Sequence, residues 1–239
     1  MIHINCFDNK SIILYISKEN KGEDMRYYIS DLHFFHKRMI DHMDCRGFES
    51  MEEMHEYMIK KWNEKVRPND EVVILGDLSI GDGKQTNEIL NRLNGKLYLI
   101  KGNHDKWVSD KISNTKRFTW IRDYTELKDN GRKVILSHYP VMCYNGQYRL
   151  NEDGSPKVYM LYGHVHNTMD QMLIDKFQEI TRNTCRKARG YEELKPIPCN
   201  MINVFCMYSD YTPLTLDEWI ELNKKREKNP QYEKDWKYD

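Results

Sequence analysis

Seven side chains of the kinds that bind metal ions stand directly after five short apolar runs of the sequence. The runs are residues 27–29, 72–75, 97–100, 134–136 and 158–162. The side chains are Asp31, His33, Asp77, Asn103, His138, His164 and His166. Short apolar runs bounded by turn residues are typical of buried strands, and open sheets bind ligands in the crevice beyond their strand ends. We therefore expect these side chains to converge on one metal site, which favours an enzyme.

The types of these ligands narrow the choice of metal. Asp31 and His33 are two residues apart, so an extended strand would put both side chains on one face. Asp77 offers a carboxylate that could bridge two ions, and the preceding Gly76 lets another backbone approach closely. The turn 102–105 adds an amide oxygen, an imidazole and a carboxylate. Mixed carboxylate, amide and imidazole donors suit Mn, Fe or Zn better than an all-oxygen Ca²⁺ site.

A pair of such ions points to the hydrolysis of phosphate esters. Two divalent ions about 3.5–4 Å apart can clamp a phosphoryl group and deliver a bridging hydroxide for in-line attack. This chemistry requires a clamp of positive charge more than a protein nucleophile. The sequence contains neither a GxSxG nucleophile elbow nor a GxxxxGK[ST] phosphate loop. Both absences agree with metal-assisted hydrolysis.

Taken one at a time, these elements carry little weight. A Gly-Asp pair is a turn more often than a ligand, and a single histidine such as His138 could merely end a strand. Their repetition after five β-like runs is what favours a metal site over unrelated polar residues. His3, His42 and His55 have no such context, so we assign them surface or packing roles.

Composition places the chain among ordinary globular proteins. Its 239 residues fit one large α/β domain, and 39% apolar with 31% charged residues is typical of such domains. With 37 acidic and 37 basic residues the formal net charge is zero. No global field would therefore steer the chain to nucleic acid or to an anionic membrane.

The cysteines and the amino-terminal residues predict a cytoplasmic location. The six cysteines include no CxxC pair, and a chain of this length needs no disulfides, so reduced thiols are expected. The longest apolar run near the start, residues 11–16, is too short to cross a bilayer. It also lacks the basic flank and the cleavage site of a signal peptide.

The chain pattern predicts a single domain over residues 1–239, with strands separated by helices as in α/β folds. The predicted helices are residues 50–65, 84–93, 168–189 and a charged stretch from Asp217, which leads into a polar tail at 219–239. Ser50 and Glu53 should form a capping box at the start of the first helix. Its apolar stripe, which we assign to the core, is Met51, Met54, Met58 and Trp62. The stripe of the third helix is Met169, Leu173, Phe177, Ile180 and Thr184.

Other segments complete the predicted organisation. Residues 124–137 should form a hairpin that turns at Asp129-Asn130-Gly131. Residues 201–207 form the last predicted strand, and 144–157 is a polar loop. Residues 1–24 could form an additional hairpin or an extension, and we leave both open.

The motifs that carry the ligands resemble the five signatures of the calcineurin-like metallophosphoesterase superfamily. They are Asp31-Leu-His33, Gly76-Asp77, Gly102-Asn103-His104-Asp105, Ser137-His138 and Gly163-His164-Val-His166. Further stretches, including 30–36 and 213–218, are similar to a group of small bacterial and phage predicted phosphoesterases. That group usually has glycine where Phe35 stands, a departure that leaves the ligands intact but makes the substrate pocket harder to predict.

The resemblance implies a four-layer α-β-β-α sandwich with a dimetal site at the carboxyl ends of the strands. One ion would be bound by Asp31, His33, Asp77 and His166. The other would be bound by Asp77, Asn103, His138 and His164, so that Asp77 bridges the two. His104 would contact the phosphate or protonate the leaving oxygen, and Asp105 would orient the His104 imidazole. We expect two divalent ions, Mn²⁺ in preference to Fe, Zn, Ni or Mg.

Contacts to the substrate are less well defined by the sequence. His36 and Arg46 follow the first ligand strand and could contact phosphate oxygens, a role that suits the planar guanidinium. A surface or packing role for each is an equal alternative. The basic residues of the third helix fit a solvated helix face better than a polyanion site; they are Arg182, Arg186, Lys187 and Arg189.

We therefore expect a phosphoesterase that acts on a small phosphate ester, in particular a nucleotide-type substrate. Diester and monoester are both left open, because substrate choice lies in loops, here 144–157 and the segment 167–200, which could form a cap. The alternatives are a non-catalytic scaffold of the same fold and a nuclease. The zero net charge disfavours the nuclease, because polyanion binding draws on many phosphate contacts. The oligomeric state is open.

Overall fold

A computed structural model of the protein describes residues 24–187 and 192–228. The expected hairpin or extension at the amino terminus therefore lies, except for Asp24, outside the described residues. The same holds for the part of the polar tail that follows Lys228.

The first sheet has four parallel strands and presents three of the predicted ligand loops. Its strands are β1 (Arg26–Ile29), β2 (Glu71–Ile74), β3 (Lys96–Ile100) and β4 (Phe118–Arg122), in the spatial order β1-β2-β3-β4. The first three coincide with the predicted apolar runs. The sequence pattern did not predict β4, because this strand lies at the sheet edge and its residues are mostly half-buried or exposed.

The second sheet also has four strands and presents the remaining ligand loops. Its strands are β5 (Tyr124–Asp129), β6 (Arg132–Ser137), β7 (Val158–Tyr162) and β10 (Met201–Asn203), in the order β10-β7-β6-β5. Only the β5–β6 pair is antiparallel. This pair is the predicted hairpin, and both turn residues, Asn130 (φ 45°) and Gly131 (φ 76°), have the positive φ that a two-residue hairpin turn favours. The predicted last strand is shorter than expected and ends at Asn203.

The two sheets and the helices on their outer faces form four layers, as the burial of alternate strand residues shows. Tyr27 and Ile29 on β1 belong to a core shared with the helices over the first sheet, whereas Tyr28 belongs to a core between the sheets. Ile135 and Met160 on the second sheet belong to a third core with Ile174 on its outer face. Because strand side chains alternate between faces, these three cores define the expected α-β-β-α sandwich.

The helices that cover the first sheet follow the predicted pattern closely. The α-helices of the described residues are α1 (Arg38–Asp41), α2 (Met51–Lys65), α3 (Gly83–Leu90), α4 (Met169–Arg182) and α5 (Leu216–Lys228). Ser50 caps α2 by accepting a hydrogen bond from the Glu53 amide. The Glu53 carboxylate accepts from Glu49 rather than from Ser50, so only half of the predicted capping box is present. Met54, Met58 and Trp62 are buried as predicted.

The helix α4 is shorter than predicted, and its buried face is not the apolar stripe. The helix ends at Arg182 and buries Gln171, Ile174, Gln178 and Thr181. Three residues of the stripe named from the sequence are exposed: Met169 at 60%, Leu173 at 50% and Ile180 at 68%. Hydrogen bonds set this register, because Gln171 accepts from Asn203 and Gln178 accepts from the Met201 amide. Hydrogen bonds to β10, and not the apolar stripe, therefore determine which face of α4 is buried.

Beyond α4 the chain forms a small exposed ribbon rather than more helix. The ribbon pairs β8 (Cys185–Lys187) with β9 (Leu194–Pro196) in antiparallel register. Arg186 and Lys187 therefore lie on a strand, and the predicted basic helix face is wrong; Arg189 lies outside the described residues. The segment 167–200 was expected to form a cap. Its helix, α4, is instead part of a layer of the sandwich. Among the described residues, no helix is long and apolar enough to cross a membrane.

Candidate metal centre

The structure brings all seven predicted ligands to the carboxyl ends of the strands. Asp31 and His33 follow β1, Asp77 follows β2, Asn103 follows β3, His138 follows β6, and His164 and His166 follow β7. Two groups of three residues place their ligand atoms within 4.8 Å of one another. They are Asp31, His33 and His166 in one group and Asp77, His138 and His164 in the other. The Asn103 side-chain oxygen joins the second group at 3.2 Å from His138 Nε2.

Distances between the ligand atoms fit the coordination of single ions. Nitrogen and oxygen ligands bind a transition metal at about 2.0–2.2 Å, so neighbouring ligands should lie about 3–3.6 Å apart. In the first group, His33 Nε2 lies 3.1 Å from His166 Nε2. His166 Nε2 lies 3.6 Å from Asp31 Oδ1. Both distances lie within the range expected for ligands of one ion.

Asp77 belongs to the second group and also lies close to the first. Its Oδ2 is 3.6 Å from His33 Nε2 of the first group and 3.4 Å from His138 Nε2 of the second. Its Oδ1 accepts a hydrogen bond of 2.8 Å from the backbone amide of His104. A carboxylate in this position is within reach of the ligand atoms of both groups.

Three glycines make room for the ligands. A Cβ atom on Gly76, Gly102 or Gly163 would lie closer than 3.0 Å to a ligand side chain, a separation that real Cβ atoms essentially never show. The neighbours would be His138, Asp77 and Asp31, respectively. Each glycine of the motifs is therefore required by close approach at the site.

Five of the seven ligand residues have left-handed backbone conformations. They are Asp31 (φ 57°), His33 (φ 51°), Asp77 (φ 51°), His164 (φ 71°) and His166 (φ 46°). Such conformations are unfavourable for residues with a side chain and concentrate at functional sites, where the surrounding structure enforces them. These conformations turn the side chains toward the site, and the surrounding structure offsets their unfavourable free energy.

The charges of the site stabilise protons on two of the histidines in the absence of metal. Burial alone would lower the pKa of His166, but Asp44 and Asp31 outweigh it and raise the value to about 10. At His138 the hydrogen bond to Asp77 and the nearby carboxylates likewise overcome burial and raise the pKa to about 9. Burial would raise the pKa of Asp31, but His166 and His138 lower it to about 2. A divalent cation would replace these protons, because metal-bound histidine is neutral.

Two further histidines border the first ligand group. The His104 ring is 5.2 Å from the His33 ring and 5.8 Å from the His36 ring. His36 Nδ1 is 3.4 Å from His33 Nδ1. Burial and the nearby His104 lower the pKa of His36 to about 4, so this imidazole is neutral at physiological pH. The structure thus brings both predicted histidines to the edge of the site.

Asp105 contacts the backbone of the ligand loops and not the His104 imidazole. Its carboxylate accepts hydrogen bonds of 2.9 Å from the amides of Asp77 and Gly102, and one of 3.0 Å from Trp107 Nε1. The expected contact between Asp105 and the His104 ring is absent from the hydrogen bonds of the described residues. Asp105 therefore fixes the backbone that carries Asp77.

Arg46 is buried below the site, so the suggested contact with substrate is wrong. Its exposed fraction is 7%, and its guanidinium donates to the carbonyl oxygens of Leu32 and Asp31 and to the carboxylate of Asp44. These contacts use the donors that would otherwise bind phosphate. The packing alternative left open by the sequence is the correct one.

Several residues that support the candidate ligands carry no signal in the sequence. Asp44 Oδ1 is 2.6 Å from His166 Nδ1, and the Phe205 ring stacks on the His166 ring at 4.6 Å. The Cys206 thiol donates to the Asp31 carbonyl oxygen. None of them has a ligand-like spacing, because their contacts arise only when distant segments fold together.

Phe35 occupies a position that favours glycine. Its φ is 67°, which agrees with the glycine usual at this position in the group that the sequence resembles. The ring packs against the His55 ring at 4.6 Å, and the Phe35 amide donates to His55 Nε2. His55 is buried, in agreement with the packing role assigned to it.

Comparisons with known proteins agree with this geometry. A family model for calcineurin-like phosphoesterases matches residues 27–237. An uncharacterized protein of Methanocaldococcus jannaschii is 33% identical over 201 residues, which cover 83% of this chain and 91% of that protein. The gene 66 protein of Mycobacterium phage L5 is 30% identical over 169 residues, covering 60% of this chain and 78% of that protein. In fold, the chain is similar to the crystal structure of a protein of unknown function from Aquifex aeolicus, with a TM-score of 0.53 and 24% identity, covering 84% of this chain and 100% of that one.

Proposed function

The chain belongs to the calcineurin-like phosphoesterase family, and on that premise we propose that it hydrolyses a phosphate ester at a centre of two divalent metal ions. The observation that carries the proposal is the position of Asp77 between two groups of ligands, each of a size and spacing suited to one ion. Residues with only a packing role would not need to place their polar atoms in this arrangement. Bound there, divalent ions would polarise a phosphoryl group and generate a nucleophile from water.

We assign His104 the role of general acid. Its ring lies beside the first ligand group, and its side chain is partly exposed, so it can meet the leaving oxygen of a bound ester. An imidazole that donates a proton in the transition state contributes about 10²–10⁴-fold to the rate. His36 is a neutral neighbour that can donate a hydrogen bond to a phosphate oxygen. Asp105 acts through the backbone of Asp77 and not through His104.

We propose Mn²⁺ as the metal and a nucleotide-type ester as the substrate. The mixed set of carboxylate, amide and imidazole donors supports Mn, Fe or Zn over Ca. The zero net charge favours a small substrate over a nucleic acid polymer. Both a phosphodiester and a phosphomonoester fit this proposal.

The direct test is hydrolysis of bis(p-nitrophenyl) phosphate and p-nitrophenyl phosphate by protein loaded with Mn²⁺. We expect activity on at least one of them, and its loss in Asp77→Asn and His104→Ala. Asp70→Asn is the matched control, because Asp70 is a buried carboxylate before the amino end of β2, away from the ligands. Folded, metal-loaded protein that is inert on both esters would contradict the proposal. Folded protein that binds no metal would favour the non-catalytic scaffold.

A further inference from the structure

We infer that Asp44 is a positioning residue for the first metal ion, because it orients the ligand His166 through the ring nitrogen that faces away from the centre. The inference rests on the proposed dimetal centre and deepens it. Asp44 belongs to none of the ligand motifs and lies in the loop after α1. It acts through His166 and does not touch the metal position itself.

The hydrogen-bond geometry fixes the tautomer of His166. Asp44 Oδ1 is 2.6 Å from His166 Nδ1, and an ionised carboxylate can only accept a hydrogen bond. Nδ1 must therefore carry the proton, and in the neutral ring Nε2 is left with a free lone pair. Nε2 is the atom that lies 3.1 Å from His33 Nε2 and 3.6 Å from Asp31 Oδ1. A carboxylate bound to the outer nitrogen of a ligand histidine both orients the ring and increases its basicity.

The second oxygen of Asp44 is held by Arg46. Asp44 Oδ2 accepts from Arg46 Nε at 3.0 Å and from Nη2 at 2.8 Å. The same guanidinium donates to the carbonyl oxygens of Asp31 and Leu32. Asp44 thus cannot rotate away from His166 without breaking its bonds to Arg46.

This buried pair connects the two loops that supply the first ligand group. The loop after β1 carries Asp31 and is bound by Arg46, whereas the loop after β7 carries His166 and is bound by Asp44. Phe205 stacks on the His166 ring and restricts its tilt. The contacts account for the burial of an arginine that touches no substrate. They also explain why an acidic and a basic residue stand two positions apart in this loop.

A purely structural ion pair would behave differently from a positioning pair. If Asp44 only neutralised Arg46, its replacement would lower the stability of the fold and would leave the affinities of both metal positions unchanged. If Asp44 orients His166, its replacement should weaken binding of the first ion only. The second position, formed by Asp77, Asn103, His138 and His164, receives no contact from Asp44 among the described residues.

The test compares Mn²⁺ binding by wild type, Asp44→Asn and Asp70→Asn, measured by calorimetric titration, with thermal unfolding of the metal-free forms. Asp70 is the control because it too is buried, accepts backbone hydrogen bonds and lies near an arginine. We expect Asp44→Asn to weaken one of two binding events by about 10–100-fold and to spare the other. Asp70→Asn should retain both affinities even if it unfolds at a lower temperature.

Several results would overturn the inference. Two unchanged binding events in Asp44→Asn would refute the role of Asp44 and leave the dimetal centre in place. Wild-type protein that binds no ion would refute both. If Asp44→Asn does not fold, the nitrogen resonances of His166 in Zn²⁺-loaded wild type decide the matter. They should show a protonated Nδ1 and a coordinated Nε2, and the opposite tautomer would refute the inference.

Discussion

Replacement of Gly102 by alanine should disable the metal centre although it replaces no ligand residue. Gly102 belongs to the turn that carries Asn103 and packs against the bridging Asp77. A Cβ on Gly102 would lie 2.8 Å from Asp77 Cγ and closer still to the Asp77 amide nitrogen and Oδ1. Two of these three atoms belong to a side chain that cannot move without leaving the ions, and the third is backbone.

The expected size of the effect follows from this crowding. An added methyl group that forces backbone to shift costs about 1–3 kcal/mol in a well-packed interior. The shift required is close to 1 Å, and a misplacement of that size can reduce the rate of catalysis about 100-fold. We therefore expect Gly102→Ala to remain folded, to unfold at a lower temperature and to lose most of its activity.

The assay is metal content after dialysis, together with thermal unfolding and ester hydrolysis. Gly131→Ala is the matched control, because Gly131 has a φ of 76° and nothing within 4 Å of its added Cβ. It should cost about 1–2 kcal/mol of stability through its left-handed backbone and retain both ions and full activity. A Gly102→Ala protein with two bound ions and wild-type activity would refute this reasoning.

Three further predictions concern the neighbours of the ligands. His104→Ala should keep both ions and lose about 10²–10⁴-fold in rate, measured by metal analysis and steady-state hydrolysis. Asp105→Ala should lower the free energy of unfolding by at least about 3 kcal/mol in denaturant titrations, because three buried amides lose their acceptor and each costs about 1–3 kcal/mol. Binding of Mn²⁺ at pH 7 should release about two protons, from His138 (pKa about 9) and His166 (pKa about 10), as measured by calorimetry in buffers of different ionisation enthalpy. Because both pKa values are raised above that of an unfolded histidine, the stability they give to the metal-free protein is complete below pH 6.5 and is lost as pH rises through 9 and 10.

Specific outcomes would contradict each of these predictions. Loss of metal in His104→Ala would make His104 a support of the site and not its general acid. An Asp105→Ala protein as stable as wild type would show that its carboxylate is dispensable to the backbone. Metal binding without proton release would mean that His138 and His166 are already neutral at pH 7.

The sequence indicated which side chains gather at the strand ends, because each of these positions depends on local information. A short apolar run followed by Asp31 or His138 is visible in the chain, and the parallel sheet then brings the strand ends together. The supporting residues were not predictable in this way. Arg46 resembled a phosphate ligand until its partner Asp44 and two carbonyl oxygens enclosed it, an arrangement that only the tertiary fold creates.

The same limit explains the error in α4. Its apolar residues form a stripe through Leu173 and Ile180, yet the helix buries Gln171 and Gln178 because both bind β10. Hydrogen bonds from a strand that lies later in the chain cannot be read from helical periodicity. Asp105 is a similar case, since its motif suggested a catalytic partner and its contacts show a backbone acceptor.

The most direct test of the whole account is a crystal structure of the protein grown with Mn²⁺, with diffraction data collected at the manganese absorption edge. The proposed dimetal centre should give two anomalous peaks on either side of the Asp77 carboxylate, about 3.5–4 Å apart. Peaks remote from Asp77, or a single peak that contacts only one of the two ligand groups, would contradict it.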